Sequence, residues 1–223
     1  MLPTQTQNEI HPTSLENVSN TSNPKIAVRD SKIQFVTQFC QGKSVLDIGC
    51  VQHDPKNYQS PYWLHKAIQQ VADSVIGIDI DAAGVQYLVD RGFNIVVADA
   101  QHFDLQQKFD VLVAGDIIEH LEDLQGFLSS CRHHMHPESK LLISTPNPWF
   151  WKHTVRAAFK TEFWTNPEHT CWFCPRTLRQ LVRRHGFDIG NIVFGSRYFK
   201  ERIMPLPPAW KHTSFHAEVS IAP

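Results

Sequence analysis

The chain of 223 residues carries 21 basic and 22 acidic side chains, a formal net charge of −1, and 42% of its residues are hydrophobic. This near-neutral balance gives no bulk electrostatic attraction to nucleic acid or to a membrane surface. No stretch approaches the roughly 18 apolar residues of a membrane span, and the N-terminus lacks the apolar core of a signal peptide. The sequence therefore predicts a cytoplasmic protein without a membrane partner.

The N-terminal part differs in composition from the rest of the chain. Residues 1–24 are rich in Thr, Asn, Ser and Gln and poor in apolar side chains, which is typical of a disordered tail. Residues 25–223 are predicted to form one domain. Its first helix is predicted over Arg29–Gln41, because apolar residues recur there at helical spacing and Gly42 is a stop signal.

Strands and helices are predicted to alternate through the rest of the chain. Short apolar runs bounded by turn residues predict seven strands: Val45–Ile48, Ser74–Asp81, Phe93–Ala98, Phe109–Ala114, Lys140–Thr145, Phe187–Phe194 and Ala217–Ala222. Apolar residues at helical spacing predict further helices over Tyr62–Val71, Ala82–Arg91, Ile117–His134 and Pro175–His185. This alternation indicates βαβ units, and so an α/β fold with a doubly wound, mostly parallel seven-stranded sheet.

One segment interrupts the alternation. Trp149–Thr170 contains two aromatic clusters and no clear period, and a structureless insertion of this length is uncommon in a compact domain. We therefore expect residues 149–170 to form a cap or lid over the substrate. The wider part from Trp149 to His212 carries eleven Lys and Arg against four Asp and Glu, which fits either an acidic or phosphorylated small-molecule acceptor or a solvated basic surface.

Acidic residues stand at or just after the ends of four successive predicted strands. They are Asp47, Asp79, Asp99 and Asp116, and Gly49 forms the turn after the first of these strands. Ligands of a doubly wound sheet bind beyond the carboxyl ends of its strands, so the four acids should converge on one rim. An acid after the second strand can accept both hydroxyls of a ribose, and one after the third can accept an adenine amino group. Helix capping explains a single Asp but not four in register.

The loop after the first strand separates two kinds of nucleoside cofactor. A dinucleotide enzyme also places an acid after the second strand, but its fingerprint requires Gly-x-Gly-x-x-Gly. This loop supplies only Gly49, followed by Val51 and His53 at the later positions. A nucleoside cofactor without a phosphate is therefore favoured.

In order and spacing, these motifs resemble those of the class I S-adenosylmethionine-dependent methyltransferases of the small-molecule type. The matching segments are Val45–Cys50, Val75–Asp79, Val97–Ala100, Phe109–Val113, Ile118–Leu121, Leu142–Asn147 and His169–Phe187. The resemblance implies a Rossmann-like methyltransferase fold with an antiparallel last strand, and S-adenosylmethionine as the cofactor. The departure lies in the loop, where family members usually have a second glycine at the position of Val51 and often a third at that of His53.

The resemblance also implies a set of cofactor-binding residues. In chain order they are Asp47, Gly49, Cys50, Asp79, Ile80, Asp99, Ala100, Asp116 and Ile117. The first three would flank the methionine part, Asp79 would bind the ribose, Asp99 and Ala100 the adenine, and the last two would close over the cofactor.

The acceptor side contains two histidines that are candidates for catalysis. Methyl transfer is an in-line displacement, so alignment and exclusion of water supply much of the acceleration. A hydroxyl or ammonium acceptor must also lose a proton. His120 and His169 are the candidate bases, because an unperturbed histidine titrates near pH 6.5. The alternative is that they only shape the pocket.

A metal site is not predicted from the sequence. Cys171 and Cys174 have the Cys-x-x-Cys spacing of metal ligands, but no second pair exists. Cys174 also stands at the N-cap position of the helix that begins at Pro175, and a small residue there is explained by capping.

The predicted function is methyl transfer to an oxygen or nitrogen atom of a small-molecule acceptor. Two alternatives remain: a non-catalytic methyltransferase-like binding protein, indicated by the substituted glycine loop, and an RNA or protein methyltransferase that uses the basic C-terminal part. Against nucleic acid, the fourth strand is followed by Gly-Asp-Ile-Ile-Glu-His over Gly115–His120. Methyltransferases of this fold that act on base amino groups carry an Asn/Asp-Pro-Pro-aromatic motif there.

Overall fold

The structure is a computed structural model that describes residues 26–28, 32–52, 54–159, 166–195 and 204–223. The predicted tail over residues 1–24 and His53 of the glycine loop lie outside the described residues. Residues 160–165 of the predicted lid also lie outside them.

The described residues form one eight-stranded sheet. Its strands are β1 (Ile26–Val28), β2 (Ser44–Ile48), β3 (Ser74–Asp79), β4 (Ile95–Val97), β5 (Phe109–Gly115), β6 (Met135–Pro146), β7 (Phe187–Gly195) and β8 (Ser214–Ile221). The order across the sheet is β1-β7-β8-β6-β5-β2-β3-β4. β8 runs antiparallel to both of its neighbours, and the other paired strands are parallel.

The predicted α/β sheet with an antiparallel last strand is confirmed. All seven predicted strands are present as β2 to β8, although β6 and β8 begin earlier than the sequence indicated. β1 is an additional strand that was not predicted from the sequence, and it pairs in parallel with β7 at the edge of the sheet.

Helices cover both faces of the sheet. They are α1 (Lys32–Cys40), α2 (Leu64–Gln69), α3 (Ala82–Val89), α4 (Leu124–His133), α5 (Trp151–Phe159), α6 (Pro175–Arg184) and α7 (Pro208–Lys211). α1 and α2 pack into one apolar cluster with Val45 of β2, whereas α4 and α6 pack into a second cluster with its neighbour Leu46. Successive residues of one strand thus enter opposite cores, which is typical of a parallel sheet buried on both faces.

The continuous helix predicted over Ile117–His134 is wrong. A short 3₁₀ helix covers Ile118–His120, the backbone is extended at Leu121, and α4 begins only at Leu124. The Asp123 side chain accepts a hydrogen bond of 2.8 Å from the backbone N–H of Gly126. An aspartate that binds the first free N–H groups of a helix fixes its start, so α4 begins after Asp123.

The segment predicted to lack a period contains a helix. α5 occupies nine residues of it, and none of the nine is buried. None of the helices in the described part of the chain is both long and apolar enough to cross a membrane.

Candidate active site

The turn after β2 brings two loops together. Gly49 has a φ of 77°, and its N–H donates to the Ile78 carbonyl of β3 at 2.8 Å. A Cβ at this position would lie 2.9 Å from Cδ1 of Ile117, in the loop after β5. Two features therefore require a glycine at position 49: the left-handed backbone conformation and the close approach of the Ile117 side chain.

Val51, which stands where the family usually has a second glycine, points into the core. Its side chain is only 1% exposed. A Cβ on Gly84 of α3 would lie 2.5 Å from its Cγ1, so the missing side chain of Gly84 makes room for it. The Val51 N–H donates to Oδ2 of Asp79 at 2.9 Å. The core thus accommodates the Val51 side chain, and the Val51 backbone links the loop to Asp79 after β3.

Asp79 is held by backbone donors at the end of β3. Besides the bond from Val51, its Oδ1 accepts from the N–H of Asp81 at 3.0 Å. A carboxylate has about four lone-pair sites, so two remain for other donors such as a ribose diol. Ile80, beside it, is 71% exposed and offers an apolar surface at the same place.

Asp99 lies next to Asp79 at the rim. The N–H of Ala98 donates to the Asp79 carbonyl at 3.0 Å, which joins the two loops. Oδ1 of Asp99 accepts from the N–H of Gln101 at 2.9 Å, in a local turn that fixes the carboxylate. Asp99 and Ala100 are both half-buried. The structure therefore brings Gly49, Asp79, Asp99 and Ile117 together, and we call this group the cofactor rim.

Asp47 and Cys50 lie below the rim. The Asp47 carboxylate is 2% exposed and contacts Nδ1 of the buried His65 at 3.0 Å. Cys50 is 3% exposed, and a Cβ on Gly77 would lie 2.5 Å from its sulfur. Burial raises the pKa of the Cys50 thiol, and the charges of Asp47 and Asp79 raise it further, so it stays protonated. The predicted contact of these two side chains with the cofactor stays a prediction.

Asp116 is engaged by its own neighbours. It has a φ of 57°, its Oδ2 contacts Nζ of Lys32 at 2.7 Å, and its Oδ1 accepts from Oγ of Ser144 at 3.0 Å. Burial would raise the pKa of this carboxyl, but the Lys32 charge and the hydrogen bonds from Lys32 and Ser144 hold it below the usual value. Asp116 is thus ionised and fastens β5 to α1 and β6.

The two predicted histidines meet beside a third residue that was not predicted from the sequence. The rings of His120 and His169 lie 4.7 Å apart, centroid to centroid, and nearly perpendicular. Glu119 joins them, and one potential ligand atom from each of the three side chains lies within 4.8 Å of the others. We call Glu119, His120 and His169 the Glu-His-His cluster.

Glu119 is the most unusual carboxyl of the site. It is 1% exposed, and its Oε2 accepts from Oγ1 of Thr145 at 2.9 Å. Its Oε1 is buried without a hydrogen-bond partner among the described groups. Burial, followed by the charge of Asp116, raises the pKa of the Glu119 carboxyl to about 8. In the sequence, Glu119 is only an acid beside His120. Its burial could not be predicted, because it depends on the packing of segments that are distant in the chain.

Hydrogen bonds clamp the segment before α6 onto the turn after β5. The N–H of Thr170 donates to the Glu119 carbonyl at 2.8 Å, and its hydroxyl oxygen lies within hydrogen-bond distance of the carbonyl oxygens of Glu119 and Leu121, at 3.1 and 3.0 Å. This clamp places His169 opposite His120. Cys174 caps α6, as expected, and its N–H donates to Oγ1 of Thr177 at 2.9 Å.

α5 reaches the Glu-His-His cluster through aromatic contacts. The ring of His153, on α5, lies 5.1 Å from that of Trp172, and Trp172 lies 6.1 Å from His169. The described part of the predicted lid is thus attached to the histidine side of the site.

The comparisons with known proteins identify the family. Residues 25–191 match the family described as methyltransferase domain. A protein of Mycolicibacterium smegmatis named a probable S-adenosylmethionine-dependent methyltransferase is 31% identical over 162 residues, covering 70% of this chain and 56% of that protein. The human mitochondrial ubiquinone biosynthesis O-methyltransferase is 22% identical over 187 residues, covering 74% of this chain and 48% of that protein.

A solved structure shares the fold. The S-adenosylmethionine-dependent methyltransferase of Archaeoglobus fulgidus matches with a TM-score of 0.61 at 20% identity, covering 84% of this chain and 90% of that chain. The sequence and the fold together define a methyltransferase domain. The chain belongs to the class I S-adenosylmethionine-dependent methyltransferases, and it spans about half the length of the curated relatives it matches.

Proposed function

We propose that this chain transfers a methyl group from S-adenosylmethionine to an oxygen or nitrogen atom of a small-molecule acceptor. The observation that carries the proposal is the convergence of the cofactor rim with the Glu-His-His cluster. Ile117 packs over Gly49, and the 3₁₀ helix that follows it carries Glu119 and His120. A cofactor at the rim and an acceptor at the histidines would therefore be neighbours, as an in-line displacement requires.

The rim supports a role for each part of the cofactor. Asp79 has unused lone pairs for the ribose hydroxyls, and the exposed Ile80 offers a surface against the adenine ring. Asp99 and Ala100 lie beside them for the adenine edge. Ile117 and Gly49 would border the methionine part. S-adenosylmethionine supplies an activated methyl group on a sulfonium, and the chain supplies position and exclusion of water.

The buried position of Val51 supports a catalytic protein rather than a binding protein that only retains the fold. The substituted glycine loop was the feature that favoured the non-catalytic alternative. Because the valine side chain packs against α3, it does not narrow the rim. The base role of His120 and His169 stays a prediction, as does the cytoplasmic location.

The acceptor class is supported by the relatives and by charge. Of the relatives compared, the human enzyme is named an O-methyltransferase. α5, which reaches the Glu-His-His cluster through His153 and Trp172, carries Lys152 and Arg156, and this positive charge favours an acidic small molecule. A screen of phenols, carboxylates, amines and sugar derivatives, read out as S-adenosylhomocysteine formation, would identify it.

The first test is calorimetric titration of the protein with S-adenosylmethionine. Asp79→Asn should weaken binding about 10- to 150-fold, since a hydrogen bond to a charged group contributes about 1.5–3 kcal/mol. Asp81→Asn is the matched control: Asp81 caps α3 two residues further on, and Asn caps a helix equally well. No binding by the parent protein, or equal weakening in both variants, would contradict the proposal.

A further inference from the structure

We propose that the Glu-His-His cluster binds one divalent transition-metal ion, which in turn binds the oxygen of an acceptor hydroxyl. The first half concerns residues of this chain alone. The second half rests on the proposed function, because it names the class of acceptor for the same site.

The donor set fits such an ion. Two imidazoles and one carboxylate form the ligand set of several catalytic zinc sites, and they leave a fourth position open. Mg²⁺ and Ca²⁺ prefer oxygen ligands, so two histidines favour zinc or a neighbouring transition metal. The ligand atoms lie within 4.8 Å of one another. Bonds of about 2.0–2.2 Å to a common ion require them to close by roughly 1 Å, within reach of side-chain torsions.

Glu119 supplies an independent observation. Its Oε1 is buried without a hydrogen-bond partner among the described groups, which is costly for a carboxyl group. A cation between this oxygen and the two imidazoles would satisfy it. The other oxygen accepts from Thr145, an arrangement that resembles the outer-shell hydrogen bonds that orient metal ligands.

Hydrogen bonds also hold the backbone around the cluster in place, as a metal site requires. Glu119 and His120 are adjacent in the 3₁₀ helix after β5, and the Thr170 clamp ties His169 to that turn through the Glu119 carbonyl. Ligands on two segments joined in this way need little reorganisation to bind an ion.

The position of the ion would decide the acceptor chemistry. An acceptor hydroxyl at the open position would lose its proton to solvent water at a lower pH, and the oxygen would keep the electron pair, since a bound cation stabilises the anion. This favours a phenol or another hydroxyl compound over an amine. His120 and His169 would then be ligands and not the proton acceptors.

The test is a titration of the full chain, freed of metal by a chelator, with Co²⁺, whose visible absorption reports imidazole and carboxylate ligands. We expect one equivalent to bind. His120→Ala and His169→Ala should each weaken binding by at least about 100-fold, because losing an outer-shell partner alone costs about 10- to 100-fold. His133→Ala is the control, since this histidine is exposed and its ring faces Asp104, which is not part of the cluster.

Glu119→Gln should weaken binding as well, and circular dichroism would show whether this buried position tolerates the change. If it does not fold, the two histidine variants still decide. Co²⁺ binding equal to that of the parent in both histidine variants, or no binding by the parent, would overturn the metal site. Titration of the same metal-free protein with S-adenosylmethionine separates the proposals: cofactor binding without Co²⁺ binding leaves the proposed function standing and removes the metal.

The second half of the proposal, that the ion binds an acceptor hydroxyl oxygen, is tested by a separate measurement. In the Co²⁺ protein with S-adenosylhomocysteine, addition of catechol should change the visible spectrum, because a hydroxyl oxygen enters the open position. An unchanged spectrum at saturating catechol would overturn the assignment of a hydroxyl acceptor to the ion.

Discussion

Two glycines in the same backbone region experience very different surroundings. Gly49 and Gly92 have φ values of 77° and 85°, a region that costs other residues about 1–2 kcal/mol. A Cβ at Gly49 would meet Ile117, whereas one at Gly92 would meet nothing within 4 Å. Substitutions at the two glycines therefore separate the effect of backbone strain from the effect of losing the contact between the two loops.

We predict that Gly49→Ala destabilises the fold more than Gly92→Ala does, and that it alone weakens cofactor binding. Gly92→Ala should lower the free energy of unfolding by about 1–2 kcal/mol, the backbone cost. Gly49→Ala should add the displacement of Ile117 from the cofactor rim. Urea unfolding and calorimetry with S-adenosylmethionine measure the two effects. Equal affinities of the two variants would show that the Gly49–Ile117 contact does not shape the site.

The residues of the rim illustrate what the sequence can and cannot predict about a site. Asp79 and Asp99 were predictable, because strand ends and turn residues are local signals and parallel strands place their carboxyl ends together. The pairing of Asp116 with Lys32 and the burial of Glu119 were not. Both depend on residues far away in the chain, and no local pattern encodes those contacts.

At the scale of elements, the strands were more predictable than the segments between them. A strand buried on both faces has a short, branched apolar run that the sequence shows directly. The break between His120 and Leu124 was hidden because apolar residues continue on both sides of Asp123. β1 is three residues long, and its position depends on pairing with β7 rather than on its own composition.

α5 is the element for which movement is expected. It has no buried residue, and Val155 and Phe159 are 42% and 84% exposed. Ring contacts lead from it to the Glu-His-His cluster through His153 and Trp172. An apolar surface attached in this way can fold over a bound acceptor, which is the lid that we propose for residues 149–170.

We predict that amide hydrogen exchange in α5 slows when S-adenosylhomocysteine and an acceptor from the screen are both bound. Closure would bury the exposed apolar side chains and protect the helix backbone. His153→Ala should weaken the attachment to Trp172, so that exchange is faster than in the parent and responds less to ligands. Identical exchange of the parent α5 with and without both ligands would rule out a lid formed by this helix.

At the scale of the whole molecule, polar groups are buried where the central strands end. His216 of β8 lies opposite Ser144 of β6 and stacks on Phe35 of α1, with ring centroids 5.3 Å apart. Both of its ring nitrogens are buried without a hydrogen-bond partner among the described groups. The charges that act on it come from Asp116 and Lys32. A neutral histidine at this junction of β6, β8 and α1 links the protonation of one ring to the stability of the fold.

We predict that His216 makes the fold sensitive to acid between about pH 6.5 and pH 4. Burial lowers its pKa to about 4; attraction from Asp116 opposes this shift, and repulsion from Lys32 adds to it. The unfolded chain, with a histidine pKa near 6.5, binds more protons in this window, so the free energy of unfolding falls as the pH falls. Across this window the titration of His216 should lower the free energy of unfolding by about 3 kcal/mol, because a shift of one pKa unit corresponds to about 1.4 kcal/mol.

His216→Leu removes the titrating ring and keeps an apolar side chain against Phe35. Urea unfolding of this variant and of the parent at several pH values should give a difference in stability that moves in favour of the variant as the pH falls from about 6.5 to 4. His136→Gln is the control, because His136 is exposed and its replacement should leave the pH dependence close to that of the parent. The difference in stability between His216→Leu and the parent could instead stay constant across this range. That result would show that the acid sensitivity comes from carboxyl groups, which titrate at lower pH, and not from the buried ring.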